Sequence, residues 1–167
     1  MIAEVITLAE QLAAKPDAQK ATYKQVRDAD GKFIFTDTFQ DCSEFIYFLL
    51  HEKYKSMYDD LAVDDSGNTT TLKTQIESIG GTFSATPVAP SLAIWWDTAA
   101  GAGSHVELVV KVEKKPVVIP HPQDYRITNI GARGAVGNPV PHKLITQSLA
   151  SFTSINPKKL LGFWNIP

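Results

Sequence analysis

The chain has 167 residues, 44% of them apolar, with 16 basic against 18 acidic side chains and a formal net charge of −2 at pH 7. That length fills one core and falls short of two, and the balanced charge, without a basic patch, argues against nucleic acid or an anionic lipid surface as partner. A single cysteine, Cys42, cannot close an internal disulfide, so no cross-link framework fixes the redox compartment.

Apolar residues at Ile2, Val5, Ile6, Leu8, Ala9 and Leu12 make one broad helical face and predict a helix over residues 1–15, ended by Pro16 and Asp17. Glu4 and Glu10 interrupt what would be the apolar run of a secretory signal, and no stretch reaches membrane-spanning length, so neither a signal peptide nor an integral membrane segment is expected. Asp28-Ala29-Asp30-Gly31-Lys32 is turn chemistry, and Phe33-Ile34-Phe35 after it reads as a short strand or an ordered loop. A second helix is predicted from Cys42 to Tyr54 or Tyr58, with Phe45, Ile46, Leu49 and Leu50 at core spacing. Residues 59–71 are polar and predict a surface loop; residues 72–79 predict a short helix closed by Gly80-Gly81.

Beyond Pro87 and Pro90 the pattern turns to strands, at residues 91–96, 105–112 and 117–119, which after the helices argues an α+β fold. The Gly- and Ser-rich connection 97–104 is flexible, but lacks the Lys-Ser or Lys-Thr and the following helix of a phosphate loop. Residues 129–142 read as a long loop, and residues 160–164 as a closing strand. One domain is expected over 1–167, with 1–38 as helix and lead-in and 39–167 as core.

Cys42 stands where a polar turn becomes a helix, and the helix dipole there favours a thiolate. A cysteine nucleophile needs a base and a group to orient that base, brought together by the fold. Of the four histidines, His51 lies about 13 Å further along the same helix, too far to serve. His105 opens a strand and can project into a cleft. His142, between Pro141 and Lys143, reads as a solvated loop residue. If the strands over 105–112 and 116–122 form a hairpin turning near Glu113, His121 faces His105; a shift of one or two residues brings in Gln123, and Asp124 is a third candidate. Trp95 and Trp96 read as half core and half cleft wall, and Arg133 as a loop residue able to hold a substrate carboxylate. His121 and His142 alone do not make a metal site, and no metal or cofactor is expected.

Asp41-Cys42-Ser43 before an apolar helix, Pro90-Ser91-Leu92-Ala93-Ile94-Trp95-Trp96-Asp97-Thr98, Ser104-His105-Val106-Glu107-Leu108-Val109, a following strand ending in His121, and Leu161-Gly162-Phe163-Trp164 together resemble the NlpC/P60 group of papain-like cysteine peptidases over about residues 40–165. The resemblance implies a nucleophile helix packed on a central antiparallel sheet. It implies hydrolysis of amide bonds in peptidoglycan stem peptides, commonly between γ-D-glutamate and a diamino acid. Cys42 would attack the carbonyl, with its own N–H as oxyanion donor; His105 would be the base and His121 its orienting residue, while Asp41, Ser43, Trp96, Ser104 and Arg133 would line the substrate. Two features depart from the group. Its usual glycine after Asp-Cys-Ser is Glu44, expected to alter substrate shape or charge preference, and its upstream aromatic and double-glycine segment is missing, with Tyr23 and Phe35 as weak substitutes. The implied setting is a cell-wall or periplasmic site of action, reached as a secreted antibacterial effector or phage-associated lysin, with an inhibitory immunity protein as cognate partner. The alternatives are a papain-like enzyme on another acyl substrate, as a protein deamidase or acyltransferase, and a non-catalytic wall-binding module.

Overall fold

The computed structural model describes residues 2–30, 38–51, 69–97, 102–115, 125–133, 144–154 and 158–167. Helix α1 (Ile2–Ala14) buries Val5, Ala9 and Leu12, one side of an amphipathic helix. Helix α2 (Cys42–His51) begins at the cysteine and buries eight of its ten residues, all but Phe48 and His51. A helix apolar on nearly every side belongs in the interior, and α2 packs against α1, against a third helix, α3 (Thr69–Ser78), and against the sheet. Helix α3 starts three residues before the predicted point and ends at the predicted glycines. Gly80 takes φ +96°, its N–H donates to the Glu77 carbonyl at 3.1 Å, and that of Gly81 to the Ile76 carbonyl at 2.8 Å, which satisfies the last turn.

The strands are β1 (Phe83–Ser84), β2 (Ser91–Asp97), β3 (Ala102–Lys114), β4 (Tyr125–Ile130), β5 (Ile145–Ser148) and β6 (Lys159–Asn165), with a short helix α4 (Leu149–Thr153) between the last two. They form one sheet in the order β1-β6-β2-β3-β4-β5, antiparallel throughout. The architecture is α+β, as the sequence predicts. Among the described residues no helix is long and apolar enough to cross a membrane.

The predicted hairpin register is not the observed one. Glu113 sits within β3 opposite Arg126, and β3 continues to Lys114 opposite Tyr125. The partner of β3 is therefore β4, which supplies Ile127 and Ile130 to the core; a slip of one residue would turn that apolar set to the other face. Residues 116–124, holding the predicted strand 117–119, lie outside the described residues, as do 31–37 and 52–68. β4 ends inside the stretch predicted as a loop, while β1, β5 and α4 are additions.

Each sheet face has its own core. On one, Leu92, Ile94, Val106, Leu108 and Ile130 pack against α1, α2 and α3. On the other, Ala93, Trp95, Val109, Ile127 and Phe163 gather around Phe152 of α4. Trp95 and Phe152 rings lie 5.1 Å apart, and Trp95 Nε1–H donates to the Thr153 carbonyl at 3.3 Å. Cross-strand partners share a face. His105 opposite Trp95 and Glu107 opposite Ala93 thus lie on the α4 face, with Val106 pointing to the helices between them. The β2–β3 register shifts after Trp95, which leaves Ser104 as the extra residue immediately before His105. A bulge re-aims the neighbouring side chain and bends the strand.

Candidate active site

Asp41 caps α2. Its Oδ1 accepts from the backbone N–H of Glu44 at 2.8 Å and from Ser43 Oγ at 2.9 Å, while Glu44 Oε2 accepts from the Asp41 N–H at 2.9 Å. This reciprocal box satisfies donors that a helix start otherwise leaves orphaned. Glu44 Oε1 also accepts from the Val26 N–H at 3.1 Å, and Asp41 Oδ2 from Gln25 Nε2 at 3.0 Å. The lead-in segment 22–26 is thereby fastened beside Cys42, helped by Thr22 N–H to the Thr38 carbonyl and Gln40 N–H to the Thr22 carbonyl.

Three expectations change here. Glu44, 1% exposed, turns back into the helix cap instead of meeting substrate. Asp41 and Ser43, expected along the substrate, have their side-chain oxygens engaged instead, Ser43 Oγ and Asp41 Oδ1 in the same cap and Asp41 Oδ2 by Gln25. Burial, then the Asp41 charge, pushes the Glu44 carboxyl up to about 7, against the pull of the Asp41 and Val26 N–H groups and Arg27.

Cys42 is a free thiol, 8% exposed, close enough to His105 to bear on the protonation of its ring. The hydroxyl of Tyr23 lies against both the sulfur and the backbone N–H of Cys42, and burial with the nearby Cys42 and Asp41 charges raises the Tyr23 phenol above its ordinary range. Tyr23 thus stands on the side where the sequence lacks an aromatic and glycine segment.

His105, 7% exposed, is held on two sides. Its ring lies 5.3 Å from that of Trp95, and its Nε2 donates to Glu107 Oε1 at 3.0 Å. With Nε2 taken by a carboxylate, Nδ1 is the nitrogen left for the thiol. Burial alone would lower this imidazole, but hydrogen bonds to Cys42 and Glu107 and their charges outweigh it and push His105 up to about 9. An imidazolium here is the counter-ion a thiolate requires.

Glu107 is fully buried, yet it is the best-partnered carboxylate of the site. Arg133 forks onto it, Nη2 to Oε2 at 2.8 Å and Nε to Oε1, and Asn129 Nδ2 donates to Oε2. Gln147 Nε2 in turn donates to Asn129 Oδ1 at 2.9 Å. Burial would raise Glu107, but the hydrogen bonds from His105 and Arg133 and their charges win and hold it below the usual carboxylate range. The result is a polar row across three strands, from His105 and Glu107 on β3 through Asn129 on β4 to Gln147 on β5.

Of the predicted site residues, Cys42 and His105 come together. Arg133 joins them by gripping Glu107, with two of its nitrogens committed there instead of to a substrate carboxylate. Trp95 is wholly buried and Trp96 half-buried. Ser104 occupies the bulge. His121, Gln123, Asp124 and His142 lie outside the described residues, and the register that would have set His121 opposite His105 is replaced by the one above. Sequence reasoning passes over Glu107, Asn129 and Gln147. The available signal was a carboxylate two residues after a histidine within an otherwise apolar strand, since a buried charge requires partners. No family model matches this chain, and neither does any curated protein.

Proposed function

We propose that the protein is a cysteine amidase or endopeptidase whose nucleophile is Cys42 and whose acid and base is His105. The observation that supports this reading is a thiol at a capped helix start near a buried imidazole whose Nε2 is bonded to the Glu107 carboxylate. In the first step the Cys42 sulfur bonds to the substrate's amide carbon; the carbonyl electrons move to oxygen and are met by the Cys42 N–H. Collapse breaks the C–N bond, and His105 gives its Nδ1 proton to the leaving amine. Water then attacks the thioester, His105 takes the proton from that water, and the thiolate leaves as the carboxylic acid forms. Tyr23, against the Cys42 N–H, must give way to the carbonyl oxygen or donate to it.

The resemblance to NlpC/P60 peptidases points to peptidoglycan stem peptides as the substrate, at the bond between γ-D-glutamate and a diamino acid, with a papain-like arrangement of helix and sheet. Such a substrate sets the site of action in the wall compartment, and an enzyme delivered there as an antibacterial effector calls for an immunity protein that occludes the cleft. The test is digestion of purified muropeptides followed by mass spectrometry, beside iodoacetamide labelling near neutral pH. Cleavage by the wild type and none by Cys42→Ala, with Cys42 labelled faster than a free model thiol, is expected. Slow labelling overturns the nucleophile, and fast labelling with intact muropeptides overturns the substrate in favour of another acyl group.

A further inference from the structure

We infer that Glu107 is the positioning residue of His105, in the role expected of His121, and that Arg133 and Asn129 belong to the site by keeping that carboxylate ionised and in place. The inference rests on the reading of His105 as the base and deepens it.

Three observations carry it. Glu107 takes the His105 Nε2–H at 3.0 Å, so the ring nitrogen that an orienting group would hold is already engaged. Positions 105 and 107 share a face of one strand, so their geometry is set by the backbone of β3 itself. Glu107 is also held from several sides. Arg133 forks both oxygens, Asn129 takes Oε2 under the hold of Gln147, and a Cβ at Gly131 would already lie 2.7 Å from Glu107 Cγ. A carboxylate with so many donors in a buried place stays charged, and a charged partner both fixes the imidazole tautomer and steadies the imidazolium.

Cys42 from α2 and Glu107 from its own strand favour the cationic form of His105, Trp95 of β2 adds a ring without charge, and Arg133, following β4, acts on it through the carboxylate it holds ionised. Removing Glu107 therefore lowers the His105 titration, and removing Arg133 lowers it too, by releasing the carboxylate to move or to take a proton.

The experiment is an NMR titration of the His105 ring in Cys42→Ala protein, which removes the thiol's contribution and needs no substrate. The expected His105 midpoint stays above 6.5, falls by about one unit or more in Cys42→Ala/Glu107→Gln, and falls by less in Cys42→Ala/Arg133→Gln; an Arg133→Gln midpoint that rises overturns the part given to Arg133. Cys42→Ala/His121→Ala should leave it unmoved. A midpoint below 6.5 with Glu107 intact overturns the proposal, because burial would then outweigh the carboxylate, and so does a shift caused by His121→Ala instead of Glu107→Gln. Should Glu107→Gln not fold, the Cys42→Ala midpoint and the direction of the Arg133→Gln shift still decide. Failure of the hydrolase reading would appear separately, as intact muropeptides with the titrations as expected.

Discussion

His105 and Glu107, two residues apart on β3, point the same way and are joined by a 3.0 Å bond from Nε2 to Oε1. The imidazole and its charged partner are thus borne by a single extended segment, with Val106 between them buried on the opposite face. The backbone that sets them side by side is paired with β2 through Trp95, Ile94 and Ala93.

The first prediction concerns pH. His105 is raised from 6.5 to about 9, so the folded state holds its proton more tightly than the unfolded chain does. The associated stability is fully present below 6.5 and lost as pH rises through 9. Denaturant midpoints of the wild type should fall over that window, while those of His105→Gln should stay flat.

Gly131→Ala tests the site by packing alone. The new Cβ would lie 2.7 Å from Glu107 Cγ, 2.9 Å from Cδ and 3.0 Å from Oε1. The carboxylate has to shift away from His105. The expected cost is about 1–3 kcal/mol of stability, seen as a lower melting temperature, and a fall in kcat on the substrate of at least about tenfold.

Glu44→Gln addresses the other buried carboxyl. Its folded value, about 7, exceeds the ordinary 4.5, so its contribution is fully present below 4.5 and lost as pH rises through 7. Wild-type melting temperatures should decline between those values, and the neutral variant should not. The two carboxyls of the site respond oppositely: Glu107 is held low, so its contribution is present above the ordinary value and lost only in more acid solution.

Asp41→Ala removes the oxygen that accepts from Glu44 N–H and Ser43 Oγ. A cost of about 1 kcal/mol is expected, or about 2–4 °C in melting temperature for a chain of this size, and iodoacetamide labelling of Cys42 should slow as the helix start frays. Asp41→Asn retains the cap acceptor and should recover most of the stability.

The two helices with a clear apolar period, α1 and α2, were legible in the sequence, as were the glycine closure of α3 and the strands β2, β3 and β6. So was the placing of Cys42 at a helix start and of His105 on a strand. What escaped depends on pairing. Nothing local in residues 116–130 distinguishes a partner strand starting at 116 from one starting at 125, since register is settled by which apolar residues reach the core. Glu107 was overlooked for the same reason. Its meaning lies in Asn129 and Arg133, 22 and 26 residues further on, which only the β3–β4 register brings beneath it. Glu44 was misread because a carboxylate next to a nucleophile and a carboxylate at the third position of a capped helix look alike until the direction of the side chain is known.

The clasp between Glu44 and the Val26 N–H has a mechanical outcome. The peptide that carries Tyr23 over the sulfur is buttoned to the very turn that bears the sulfur. Peeling it back would pull on the Glu44 carboxyl that also closes the first turn of α2. Movement of the Tyr23 segment and loosening of the helix start that carries Cys42 are thus tied to one side chain.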